Sequence, residues 1–146
     1  MVAMNSTTFT PRAVTMLMVL IAAVAALTLT GCSADAEPEV LVFDGSHVSD
    51  ATFAAATEVQ GVTVIDVRTP DEFASGHLPG AVNLDVQAAD FADQVNALDA
   101  AGDYAVYCRS GNRSAAAVEL MTQAGVTNTI GLTGGIGAWT GEVVTS

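Results

Sequence analysis

The sequence predicts a single α/β domain built on an open, mostly parallel sheet with helices on both faces, and two observations carry that expectation. From about residue 40 onward, short β-branched or apolar runs alternate with capped or amphipathic stretches, the order of strands and crossover helices in such a sheet. The clearest run, Val62-Thr63-Val64-Ile65-Asp66-Val67, is β-branched and largely apolar, as a buried parallel strand should be. With 146 residues, the chain holds one domain once a targeting segment is set aside.

Each element has a local reason. Residues 40–43 read as a weak first strand. Ser49 offers an N-cap hydroxyl for a short helix reaching about Thr57. Residues 62–67 form the buried strand. Thr69-Pro70-Asp71-Glu72 combines a cap, a proline at the first helical position and first-turn acids, the marks of a helix start. Gly76-His77-Leu78-Pro79-Gly80 is a turn leading to a short strand at 82–84. Residues 88–98 suit a helix with Phe91, Val95 and Leu98 on one face. Residues 104–107 form a second buried strand ending at Cys108, and 114–124 a helix burying Ala117, Val118, Met121 and Ala124 before Gly125 stops it. A last strand at Thr129–Leu132 precedes Gly134-Gly135 and a terminal turn around Trp139.

The N-terminus reads differently. Residues 13–29 are an apolar run of 17, preceded by Pro11-Arg12 and ended by Thr30-Gly31-Cys32. A spanning helix wants about 20, so the run reads as a secretory h-region with a cleavage site. Leu29-Thr30-Gly31-Cys32 resembles the bacterial lipobox, which implies a signal peptide over 1–31, a diacylated Cys32, an acidic tether to residue 39 and a domain over 40–146. An uncleaved N-terminal anchor is the alternative, because Arg12 is the only charged side chain ahead of the run. The mature protein is thus expected at the extracytoplasmic side of the cell membrane, held by lipid.

Charge narrows the function. There are 16 acids, four arginines and no lysine, a balance that repels phosphate backbones and excludes nucleic-acid binding. It also leaves no polybasic route to anionic lipid. With Cys32 linked to lipid, Cys108 has no disulfide partner, and an exported lone thiol calls for a role.

Cys108-Arg109-Ser110-Gly111-Asn112-Arg113 lies between a strand end and a helix start, where open α/β sheets place ligands. Free N–H groups at a helix N-terminus favour a thiolate and lower its pKa. Gly111 allows the loop to curl into an anion nest. Of the three arginines beyond Arg12, two fall in this loop, making it a site for a small dianion. Cys108 is the candidate nucleophile, with Arg109, Ser110, Gly111, Asn112 and Arg113 around the donor. The competing readings are an inert buried thiol for Cys108 and ion pairs for the arginines, with Arg113 expected to serve partly in structure.

This loop resembles the active-site loop of the rhodanese family. Asp66-Val67-Arg68, Glu72-Phe73 and Gly76-His77-Leu78-Pro79-Gly80-Ala81-Val82-Asn83 resemble its upstream signature, and Gly134-Gly135 with Trp139 a third. The resemblance implies a five-stranded parallel domain and a persulfide intermediate on Cys108, with no metal or organic cofactor. Its partners are then a small-molecule sulfur donor such as thiosulfate and a thiophilic acceptor, cyanide or a thiol. The upstream residues are expected to be supporting: Asp66 paired with Arg68 or hydrogen-bonded to loop backbone, Glu72 near the helix start, and His77 holding its turn rather than forming a Cys–His dyad. His47 reads as a plain loop residue and Trp139 as a core plug. Cysteine phosphatases set one more residue between nucleophile and arginine; the four between Cys108 and Arg113 favour sulfur over phosphate. A persulfide carrier or a non-enzymatic binding module is the alternative of another class.

Overall fold

The computed structural model describes residues 40–146. The signal peptide, the lipidated Cys32 and the tether expected from the sequence lie outside the described residues. Five strands, β1 (His47–Val48), β2 (Val62–Asp66), β3 (Val82–Asn83), β4 (Asp103–Tyr107) and β5 (Thr129–Leu132), form one sheet in the order β1-β5-β4-β2-β3. Every pairing is parallel. Four helices connect them: α1 (Asp50–Thr57), α2 (Pro70–Ser75), α3 (Phe91–Asn96) and α4 (Asn112–Gln123). None of the helices among the described residues is long and apolar enough to cross a membrane.

Two apolar clusters, one on each face, account for the continuous runs in β2 and β4. Ile65, Tyr104, Val106 and Cys108 join Phe91 and Val95 of α3 and Ala117, Val118 and Met121 of α4. Val64, Ala105 and Tyr107 join Phe53 and Ala56 of α1 and Ile130 and Leu132 of β5. Successive side chains of β4 therefore enter different cores, and each face excludes water from the ladder.

The caps form as their chemistry requires. Ser49 accepts from the Thr52 N–H. Thr69 and Glu72 make a complete capping box, with Pro70 opening α2. Most boundaries fall within a residue of expectation, and three differ by more. Residues 40–43 form no strand: Gly45 N–H already reaches the carbonyl of Thr129, the first residue of β5, so residues ahead of Gly45 run past the end of that strand. Leu41 and Phe43 pack on the core instead. The helix expected over 88–98 is regular only over Phe91–Asn96, with single turns at either end, though Phe91, Val95 and Leu98 do share the inner face. Finally, α4 starts at Asn112 rather than Ser114, because Gly111 takes φ +98° and serves as the N-cap itself.

Candidate active site

Cys108 follows β4 directly and lies opposite the end of β2, one residue past the paired Asp66 and Tyr107. The chain then curls through Arg109–Gly111 into α4. Cys108 is fully buried, whereas Arg109, Ser110 and Asn112 are exposed and form the outer side of the loop. Gly111 N–H donates to Cys108 Sγ at 3.1 Å.

The electrostatics follow from that enclosure. Burial pushes the Cys108 thiol up, but the N–H and hydroxyl of Ser114 and the N–H groups of Ser110 and Gly111 together outweigh it and hold the thiol below its ordinary value. The largest favouring groups are fixed dipoles at the start of a helix, with Arg113 coupled to the sulfur through space. Arg113 is engaged elsewhere: its guanidinium makes a bidentate pair with Glu72, Nη1 to Oε2 at 2.6 Å and Nη2 to Oε1 at 2.8 Å. This ties α4 to α2 across 41 residues. Arg109 is thus the exposed cation of the loop.

The other expected residues surround this centre as supports. Asp66 is fully buried and bound by Arg68, whose Nε donates to Oδ1 at 2.9 Å and whose Nη2 donates to Oδ2 at 2.5 Å. Arg68 Nη2 also donates to the Gly76 carbonyl at 2.6 Å, and the guanidinium lies over the Tyr107 ring, 5.7 Å from its centroid. Asp66 pairs with the Arg68 side chain and also accepts the Arg68 backbone N–H at Oδ1, 2.9 Å away, rather than backbone of the Cys108 loop. His77 stacks on Phe73 with centroids 3.8 Å apart, and its Nδ1 meets the Phe73 carbonyl at 3.0 Å. A carbonyl only accepts, so Nδ1 carries the proton. His77 backbone exchanges both hydrogen bonds with Val144, which fastens its turn to the C-terminal segment. Trp139 packs edge-on against Phe53 and donates its Nε1–H to the Glu142 carbonyl.

Glu72 provides a pH-dependent contribution that can be checked. The Arg113 hydrogen bonds, opposed by partial burial and aided by the Thr69 N–H, hold its carboxyl down to about 2 from the ordinary 4.5. A depressed carboxyl stabilises the fold fully above its unfolded value and loses that contribution as pH falls through the folded one. Acid unfolding should therefore show a stability loss between about pH 4.5 and 2 that Glu72→Gln removes. Equal acid sensitivity in the two proteins, followed by circular dichroism, would contradict this.

Three supporting residues were missed at the sequence level. Ser114 is buried and touches the sulfur's environment directly. Gly135, in a left-handed conformation at φ +59°, lies against the loop, where a Cβ would fall on the Cys108 carbonyl and the backbone of Arg109 and Ser110. The next residues clamp the loop from behind: Ile136 N–H donates to the Cys108 carbonyl at 2.8 Å and Gly137 N–H to that of Arg109 at 3.1 Å. The Gly134-Gly135 pair signalled a constraint there, but not its target. His47, taken for a plain loop residue, belongs to β1, and its Nε2 reaches Ser114 Oγ at 2.9 Å. Among the described residues, no group of three His, Cys, Asp or Glu side chains is placed to hold a metal. A groove of about 540 Å³ between α1 and the C-terminal turn, walled by Asp50, Leu78 and Trp139 among others, includes none of the Cys108 loop.

Comparison with known proteins agrees with this geometry. Residues 49–142 match the rhodanese-like domain family. The chain is 33% identical over 86 residues to the thiosulfate sulfurtransferase GlpE of Pseudomonas entomophila, covering 59% of this chain and 77% of that protein. It is 32% identical over 91 residues to a sulfurtransferase of Allochromatium vinosum, covering 62% and 83%. Among solved structures, a rhodanese-related protein from Thermoplasma volcanium superposes with a TM-score of 0.61 at 32% identity, covering 69% of this chain and 99% of that one.

Proposed function

The chain belongs to the rhodanese family, and on that premise we propose that it is a sulfurtransferase that moves sulfane sulfur from a small anionic donor such as thiosulfate to cyanide or a thiol through a persulfide on Cys108. The observation that carries this reading is the Cys108 sulfur itself, ringed by N–H groups at the mouth of α4 with its thiol below the ordinary value. The thiolate attacks the outer sulfur of the donor. A new S–S bond forms to Sγ, the donor's S–S bond breaks, and its electron pair leaves with sulfite. The persulfide anion inherits the N–H groups and the Ser114 hydroxyl that held the thiolate. Attack on the terminal sulfur by cyanide or a thiol then returns the Cys108 thiolate. Arg109 supplies the exposed charge for the donor, while Arg113 shapes the loop through Glu72.

The four-residue spacing from Cys108 to Arg113 favours sulfur over a phosphoryl group. An assay of the full chain with thiosulfate and cyanide, run beside an aryl phosphate, tests both halves of the reading. Thiocyanate should form, with negligible phosphate release. Phosphate hydrolysis rivalling sulfur transfer would overturn it, and sulfur loading without turnover would make the protein a carrier.

We also propose that the chain is anchored by lipid on Cys32 and faces the extracytoplasmic side. The support is Leu29-Thr30-Gly31-Cys32 at the end of the apolar run. Intact mass of the membrane-associated protein should give a chain starting at Cys32 and carrying lipid. Any other start, or no added lipid, refutes the anchor.

A further inference from the structure

Ser114 has one hydroxyl hydrogen and three neighbours that compete for it. Its Oγ lies 2.9 Å from the Gly111 carbonyl, which only accepts, and 2.9 Å from His47 Nε2. The same hydroxyl also favours the Cys108 thiolate. With the hydrogen committed to Gly111 or to sulfur, Ser114 Oγ can only accept from His47, so His47 Nε2 must carry a proton. His77, whose Nδ1 donates to Phe73, is the opposite tautomer.

The fold holds the His47 ring in this position. His47 pairs with Gly131 across β1 and β5, and a Cβ on Gly131 would overlap the imidazole. The ring lies against the bare backbone of Gly131, half-buried, and burial lowers its pKa and so favours the neutral form with its single N–H. β5 brings no titratable side chain to it. Asp44 and Asp50 are the charged residues nearest to it along the chain, and α4, which brings Ser114, also carries Arg113 and the exposed Glu119. Arg113 is already paired with Glu72.

We propose that His47 is a positioning residue for the Cys108 sulfur, acting through Ser114. Its Nε2–H occupies a lone pair of Ser114 Oγ and polarises the hydroxyl, so that the hydroxyl's hydrogen swings from the Gly111 carbonyl to the sulfur when thiolate or persulfide forms. The reverse tautomer would draw that hydrogen toward the ring and leave the sulfur one donor short. This deepens the sulfur-transfer reading and rests on it for its purpose, but the two are separable by experiment.

Two measurements on the full chain, neither using a sulfur donor, test the proposal. Long-range ¹H–¹⁵N correlation of the histidine rings at neutral pH should show His47 protonated at Nε2 and His77 at Nδ1, with His77→Gln assigning the signals. The pH dependence of Cys108 alkylation is the second. His47→Phe, which keeps the ring's bulk but has no donor, should slow alkylation at pH 7 by about threefold or more. His47→Gln, which retains an amide N–H, should recover most of the rate, and His47→Phe should add nothing in a Ser114→Ala background. An Nδ1-protonated His47, an unchanged rate in a folded His47→Phe, or additive effects with Ser114→Ala would each overturn it. The tautomer is read in the unaltered chain, so a variant that failed to fold would still leave a decisive result. Failure of persulfide to form would refute sulfur transfer while leaving the His47–Ser114 coupling standing.

Discussion

Cys108→Ser is expected to reduce sulfur transfer by at least about a thousandfold, to background, while leaving the fold in place. The hydroxyl fits the space of the thiol and can accept from the Gly111 N–H that now meets Sγ at 3.1 Å, so the change in stability should stay within about 1 kcal/mol. What disappears is the chemistry. Serine cannot form an S–S bond to the donor, and its hydroxyl does not ionise near neutral pH as a thiol held below its ordinary value does. The thiosulfate and cyanide assay, paired with thermal unfolding, checks both halves. A folded Cys108→Ser protein that still forms thiocyanate would remove Cys108 from the mechanism.

Arg68→Ala should be the most destabilising single change among the supporting residues, by about 3–5 kcal/mol. It strips the fully buried Asp66 of its counter-ion, removes the bond to the Gly76 carbonyl and uncovers the Tyr107 ring. The cost is that of a buried charge left unpaired, not the net contribution of the ion pair, which is much smaller because desolvation opposes it. The double variant Asp66→Leu/Arg68→Met should therefore recover a large part of the loss. Urea unfolding of the three proteins distinguishes these outcomes; a loss near zero for Arg68→Ala would mean that water or rearrangement satisfies Asp66.

Much of this architecture was legible because the deciding interactions are local. Ser49 caps α1, and Thr69 and Glu72 close a capping box around Pro70, each within three residues. Runs rich in β-branched and apolar residues announced β2 and β4 as central strands because both faces are covered. The Cys108 loop was legible for the same reason: a strand end, a glycine and a helix start are contiguous. What escaped notice depends on contacts between distant segments. Residues 40–43 have strand composition, yet the start of β5 decides that they have no partner. A structural share for Arg113 was legible from its place in the first turn, but its partner Glu72 was not, because only the meeting of α2 with α4 brings the two together. His47 reaches Ser114 across 67 residues, through a strand pairing that no local pattern encodes. Gly135 looked like turn chemistry, whereas its value lies in the bare backbone it presents to the Cys108 carbonyl. Local capping and burial rules thus located the nucleophile, while the groups that tune it came from the sheet order.

The most direct test of the central claim is the mass of the protein after exposure to thiosulfate and removal of excess donor. The full chain should gain one sulfur, about 32 Da, as attack through a persulfide requires. Peptide mapping should place it on Cys108, and cyanide should remove it with release of thiocyanate. An unmodified Cys108 under conditions where thiocyanate forms, or an added sulfur located on another residue, would contradict the account.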